Sequence, residues 1–137
     1  MRPPPKVTLR PITREDYAQV RQLLVDMGWH HRVADRDRFE RMMEGAGRTI
    51  VAVENTRIVG FARALVDGAS NGYISTVAVA PDRQRGGIGR AMIQRLMDVD
   101  EPGKITWVLR AGRGSEPFWT KMGFRKSETA MEIVRTS

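Results

Sequence analysis

The 137-residue chain contains no cysteine, which removes disulfides, thiolate metal sites and a cysteine nucleophile together. Histidine is almost as scarce, with only His30 and His31. Two adjacent imidazoles with no cysteine or clear carboxylate partner do not make a metal site, and no metal is expected. Aromatic residues amount to 7%, too few to interleave with the basic residues as base-stacking platforms. Long apolar runs are missing too. No stretch approaches the ~18 uninterrupted apolar residues of a membrane span, so no membrane partner is expected. The opening Met1-Arg2-Pro3-Pro4-Pro5-Lys6 shows no apolar run after its basic residues, which makes a soluble cytoplasmic location the default expectation.

What remains is ordinary globular material, 41% hydrophobic and 28% charged. A length of 137 residues suits one domain over 1–137, with the proline-rich residues 1–6 as a flexible arm. The formal charge of +7 attracts polyanions, a class that includes nucleic acids and multiply phosphorylated cofactors. The arginines are spread along the chain and no nucleic-acid recognition motif accompanies them, so nucleic acid is not expected as a partner.

Periodicity supplies the elements. Val7–Arg10 reads as a short strand. Thr13 opens a helix, its hydroxyl placed to cap the first amides, and Tyr17, Val20, Leu23, Leu24 and Met27 recur at helical spacing until Gly28. Asp35 caps a second helix with Phe39, Met42 and Met43 on one side, and Trp29-His30-His31-Arg32 form the loop between the two. From Thr49 the period changes. Ile50–Val53 and Ile58–Ala62 flank a polar turn as a hairpin, Gly68–Gly72 is a second turn, and Tyr73–Val79 is a third meander strand stopped by Pro81. Ile88, Met92, Leu96 and Val99 mark one face of a helix closed by Pro102-Gly103. A strand at Ile105–Leu109, a short helix at Glu116–Met122 ended by Gly123, and a last strand at Ala130–Val134 complete a mixed α/β sheet covered by helices.

The segment Gln84-Arg85-Gly86-Gly87-Ile88-Gly89-Arg90 lies directly between a predicted strand and a predicted helix. Glycines at 86, 87 and 89 leave backbone amides uncovered, and amides converging at a helix start form an anion cradle that Arg85 or Arg90 can reinforce. A Walker-type loop would need a terminal Gly-Lys-Ser/Thr, and a dinucleotide fingerprint would need glycine or alanine where Met92 stands. Both fail. Gln84-x-x-Gly87-x-Gly89, preceded by Val77-Ala78-Val79-Ala80-Pro81, resembles the acetyl-coenzyme A signature of the GNAT-superfamily N-acetyltransferases. Phe118-Trp119-Thr120-Lys121-Met122-Gly123-Phe124 resembles that superfamily's Phe-Tyr-x-Lys-x-Gly-Phe segment. The opening Leu9–Asp16 is also similar to the family's first strand and helix. The second motif and the Thr129-Ala130-Met131 ending look similar to a branch that includes aralkylamine acetyltransferases, which hints at small amines.

The resemblance implies a mostly antiparallel meander with a splayed parallel strand pair and helices on both faces. It implies acetyl-coenzyme A as cosubstrate, its pyrophosphate held by Gln84, Arg85, Gly86, Gly87, Ile88, Gly89 and Arg90. The pantetheine arm would run along Val77, Ala78 and Val79 and past Gly112, Phe118 and Trp119, with the thioester beside Ser75 and Leu109. A donor for the tetrahedral oxygen is implied near Val79 on a bulged strand. The sequence departs from the family where proton chemistry occurs. Tyr73 stands where some members carry a glutamate, Trp119 replaces the tyrosine that commonly protonates the thiolate, and Gly112 replaces a frequent asparagine. An indole cannot act as an acid, so Trp119 is read as packing beside the cofactor. Candidates for proton transfer are Ser75, as part of a water wire with Thr76, Tyr73, as a water-ordering hydroxyl, and Glu54. Trp29, His30 and His31 are candidate substrate contacts if their loop covers the pocket. The expected acceptor is a small-molecule primary amine. Peptide or protein amino groups, or a non-catalytic acyl-coenzyme A binder, are the alternatives, and a homodimer is left open.

Overall fold

The structure, a computed structural model, describes residues 6–98 and 102–136, apart from the side chains of His30 and Arg32. The expected N-terminal arm lies outside the described residues except for Lys6. Five strands form one sheet in chain order: β1 (Val7–Arg10), β2 (Arg48–Glu54), β3 (Arg57–Val66), β4 (Asn71–Val79) and β5 (Thr106–Leu109). The first four pair antiparallel, and β4 and β5 pair parallel. Around them lie α1 (Tyr17–Asp26), α2 (His30–Val33), α3 (Arg36–Gly45), α4 (Ile88–Met97) and α5 (Glu116–Lys121). None of these helices is long and apolar enough to cross a membrane. The mixed α/β sheet with its antiparallel meander and one parallel pair is as the sequence predicts.

In β3, Ile58 to Ala62 are buried without interruption, which a strand covered on only one face does not allow. Helix α4 contributes Ile88, Ala91, Met92, Ile93 and Leu96 to that core, while α1 contributes Val20, Leu23 and Leu24. The approach of α4 depends on Gly60, where an added Cβ would lie 3.0 Å from the Met92 methyl carbon and 3.2 Å from the Ala52 Cβ. Gly72 is constrained more severely, because its Cβ would fall 2.4 Å from the indole of Trp107 on β5. That indole crosses β4 and carries the Arg48 guanidinium 5.8 Å from its ring centre.

Asp16 joins β1 to α1. Its carboxylate accepts two hydrogen bonds from Arg10, at 2.7 and 2.9 Å, and two from Thr13, at 2.7 Å from the backbone amide and 3.0 Å from the hydroxyl. The Arg10 hydrogen bonds, with those from Thr13, hold the carboxyl down to about 2 against the cost of its burial.

Four local expectations are corrected. Thr13 is the N-cap, in a capping box with Asp16 to which its hydroxyl also donates, but of a 3-10 turn (Arg14–Asp16) that precedes α1 and not of the helix itself. Residues 30–33 form a helical turn rather than a loop, because Val33 is buried and Arg21 takes up the carbonyls of Val33 and Ala34 at 2.6 and 2.8 Å. Helix α4 ends at Met97, short of Pro102-Gly103, and the expected core position Val99 lies outside the described residues. Ala130–Val134 forms no strand, and Met131 and Ile133 are 96% and 101% exposed. Alternating apolar residues favour a strand only when a partner edge is aligned with them, and here none is.

Candidate active site

The parallel pairing of β4 with β5 covers only Asn71–Ile74 against Thr106–Leu109. Beyond that point β4 continues to Val79 while β5 has ended, so Ser75–Val79 presents a main-chain edge that β5 does not occupy. Leu109 marks the divide, paired with Ile74 immediately before Ser75. A bulge lies at the same place. The β3–β4 register shifts between Ala62 and Arg63, and Thr76 is in the left-handed region at φ +67°. An extra residue there turns the strand and disrupts its ladder, which frees main-chain groups beside the split. The irregularity sits at Thr76, three residues before the Val79 position expected for the oxygen donor.

At the far end of β4 the chain makes a 3-10 turn (Pro81–Arg83) and enters the glycine turn. Gln84 folds back, its amide nitrogen donating to the Val79 carbonyl at 3.0 Å, so this side chain ties the turn to the strand. Arg85 and Gly87 both take positive φ, +67° and +88°, and Gly87 is the N-cap of α4 with no side-chain cap. The first intrahelical bond runs from the Ala91 amide to the Gly87 carbonyl, which leaves the amides of Ile88, Gly89 and Arg90 without partners inside the helix. They coincide with the positive end of the helix dipole. Gly86 is exposed, and a Cβ on Gly89 would be 3.6 Å from the Phe118 ring and 3.7 Å from Val79, so α5 borders the glycine turn. Among the described residues no ion pair engages Arg85 or Arg90. The neighbouring arginines are committed: Arg57 to Asp82 at 2.8 Å, and Arg83 to Glu54 at 2.8 Å and Asp82 at 3.2 Å. Arg57 holds the Asp82 carboxyl down at about 2, and Arg83 lowers that of Glu54.

The proton-transfer candidates are separated by this arrangement. Tyr73 and Ser75, two residues apart on β4, share a face, and their β3 partners Leu65 and Arg63 lie on it as well. Arg63 donates to the Thr76 hydroxyl at 3.3 Å and to the Ser75 hydroxyl at 3.4 Å. Tyr73, Leu65 and Val108 form a cross-strand row and line an open cleft of about 360 Å³ with Asp67 and Asn71. Glu54 is elsewhere. It pairs with Arg57, six residues from Arg63 along β3, or about 20 Å at strand rise, and its carboxylate is taken by Arg83.

Trp119 is 8% exposed, edge-on to Phe118 at 4.9 Å and to Phe124 at 5.4 Å, an aromatic cluster that anchors α5 to the core. Gly112 is in the turn before α5, its carbonyl accepting from the Ser115 hydroxyl at 2.7 Å. In the α1–α2 region Trp29 is half-buried and its amide donates to the Leu24 carbonyl at 2.9 Å, while His31 is exposed. The His30 side chain is outside the described residues. Arg63 is a residue of the candidate site that periodicity missed. The available signal was a guanidinium inside the otherwise apolar strand between Ala62 and Ala64, where a buried surface requires it to have partners.

A split parallel pair, a bulged β4 and a glycine-capped helix start identify the fold type, and comparison with known proteins identifies the family. Residues 13–133 match the family described as an acetyltransferase (GNAT) domain. The chain belongs to the GNAT acetyltransferases. A glucosamine 6-phosphate N-acetyltransferase from Trypanosoma brucei brucei is 32% identical over 84 residues, which is 56% of this chain and 57% of that protein. The match thus spans little more than half of that relative's length. The crystal structure of a Trypanosoma brucei acetyltransferase superposes with a TM-score of 0.70 at 25% identity, covering 94% of this chain and 99% of that one. AAC(6')-Iy, solved with a bisubstrate analogue that contains coenzyme A, shares the fold at a TM-score of 0.72 and 14% identity, with 96% and 99% covered.

Proposed function

We propose that this GNAT domain moves the acetyl group of acetyl-coenzyme A to a primary amine of a small molecule by direct attack in a ternary complex. The observation that carries the reading is the alignment of the open Ser75–Val79 edge with the uncapped start of α4 at Gly87. The donor set fits the cosubstrate: free amides of Ile88, Gly89 and Arg90 with the unpaired Arg85 and Arg90 suit a pyrophosphate, and an open strand edge suits an amide-bearing arm. When bound, acetyl-coenzyme A supplies the activated acetyl thioester. The residues of the chain do the rest. Gln84 holds the turn to β4, Phe118 walls the cradle, and Trp119 keeps α5 packed against it. Leu109, Gly112, Val77 and Ala78 border the path of the arm.

The acceptor amine must lose a proton, since an alkylamine with pKa near ~10.4 is mostly charged at neutral pH. The Arg63 guanidinium, held on the Ser75 and Thr76 hydroxyls, opposes a second positive charge beside it and favours the neutral amine. Ser75 and Tyr73, on the same face, provide hydroxyls that order water to carry the proton away. Glu54 is not given a part in this relay, because Arg83 neutralises it at the other end of the strand. Small amines are favoured as acceptors by the relatives, one named for glucosamine 6-phosphate and another solved with a coenzyme A–acetylneamine analogue. Peptide amino groups remain the second acceptor class.

The test is an amine-panel assay that follows free coenzyme A thiol, run beside calorimetry with acetyl-coenzyme A. Thiol release with at least one small amine, lost in Arg63→Met while cofactor affinity persists, is the expected outcome. Cofactor binding without release on any amine would move the assignment to a non-catalytic acyl-coenzyme A binder. Absence of binding would overturn both.

A further inference from the structure

The chain enters the glycine turn from the 3-10 turn Pro81–Arg83, and four charged side chains fasten that turn to the tip of the β2–β3 hairpin. Glu54 and Arg57 are register partners on either side of Asn55-Thr56, so the tip carries an acid and a base side by side. The 3-10 turn meets them with Asp82 and Arg83. Both guanidiniums are forked. Arg57 gives Nη1 and Nη2 to the two Asp82 oxygens at 2.9 and 2.8 Å, and Arg83 gives Nε and Nη2 to Glu54 Oε1 at 3.0 and 2.8 Å. Arg83 Nη1 also reaches Asp82 Oδ2 at 3.2 Å. Taken in the order Glu54, Arg83, Asp82, Arg57, the charges alternate in sign and sum to zero, and each carboxyl is held below its ordinary range by the arginine on it.

An isolated exposed ion pair contributes little to stability, whereas forked contacts linked into a network fix relative position. The stem of the turn is held without them, since the Ala80 amide donates to the Val59 carbonyl at 2.8 Å and the Gln84 side chain to the Val79 carbonyl at 3.0 Å. What the stem leaves unfixed is the stretch 81–83 itself. It aims everything that follows: Arg85 and Gly87 at positive φ, and then the uncapped start of α4.

We propose that the ring Glu54–Arg83–Asp82–Arg57 is a clamp that fixes how the glycine turn is presented to the pyrophosphate of acetyl-coenzyme A. This rests on the reading of that turn as the pyrophosphate site. The four are positioning residues that act through the turn. Charge alone gives the opposite expectation. The chain carries +7, so removing two carboxylates beside an anion site should tighten the binding of a polyanion, while loosening a clamp should weaken it.

The experiment is calorimetry with acetyl-coenzyme A on the wild type and on Glu54→Gln/Asp82→Asn, with hydrogen exchange of both chains free of cofactor. In the double variant the affinity should fall by about tenfold or more, although the protein has become more basic. The amides of Gly86 to Arg90 should exchange faster in it, while those of Ile93 to Met97 keep their rates. Equal or tighter binding by the double variant, or unchanged exchange at 86–90, overturns the clamp and leaves the pyrophosphate site standing. A wild type that does not bind acetyl-coenzyme A overturns that reading and the clamp with it. If the double variant does not fold, Arg57→Lys/Arg83→Lys decides, because it keeps every charge and removes only the forks. A comparable loss of affinity supports the clamp, and wild-type affinity overturns it.

Discussion

The β1–β4 meander and the stretch from β5 onward differ in how they close their hydrogen bonds and bury their apolar groups. In the meander, β2, β3 and β4 each pair with a neighbour one turn away in sequence, β1 joins β2 across the α1–α3 segment, and β3 is buried on both faces. Past α4, β5 is four residues long, α5 is six, and the apolar residues of 130–134 stand in solvent. Local pairing lets the first region complete itself within one chain. In the second, β5 pairs with β4 only as far as Ile74 and then leaves it, and a strand that diverges cannot carry a full ladder.

The largest expected effect sharpens this contrast within one property. Phe61→Ala, in the middle of the meander, should cost roughly 3–5 kcal/mol by denaturant unfolding, whereas Ile133→Ala should change the unfolding free energy of a single copy by less than about 0.5 kcal/mol. Equal costs would mean that the tail belongs to the core. Next is Gly87→Glu. A carboxylate at this left-handed N-cap would face the proposed position of the pyrophosphate, so acetyl-coenzyme A affinity should fall by more than about a hundredfold in calorimetry while the meander keeps its circular dichroism spectrum. Undiminished affinity would remove the glycine turn from the site.

A smaller effect is expected at the other end of the chain, where Asp16 welds β1 to α1. Its folded value of about 2 lies below the ordinary 3.8, so the carboxylate stabilises the fold fully above the ordinary value. That contribution should be lost as pH falls from about 4 to about 2, and Asp16→Asn should remove about 2 kcal/mol near neutral pH and flatten the acid limb of the stability profile. An unchanged acid limb would show that the Arg10 pairing does not matter in solution. The smallest effect is reserved for Trp119→Phe, which keeps an aromatic ring between Phe118 and Phe124. Cofactor affinity should shift slightly and the pH profile of turnover should stay as it is. A fall in turnover beyond about a hundredfold at constant cofactor affinity would make the indole part of the chemistry.

The sequence by itself determined most of what depends on neighbours in the chain. The apolar spacing of Val20, Leu23 and Leu24 set α1, alternation and the Asn55-Thr56 turn set the β2–β3 hairpin, and Gly87 set the sharp entry into α4, because each of these is a local balance of φ, ψ and burial. The glycine turn proposed to hold the pyrophosphate was legible as a turn for the same reason, since it is built from seven consecutive residues. Only the tertiary structure decided what depends on pairing at a distance. It placed Arg63 against Ser75 and Thr76 from another strand, took Glu54 away to Arg83, turned 30–33 into a helix around Val33, and denied 130–134 a strand. Side-chain period specifies which faces want cover, but a strand also needs an edge at the right distance and register, and no stretch of sequence carries that information for a partner that lies elsewhere.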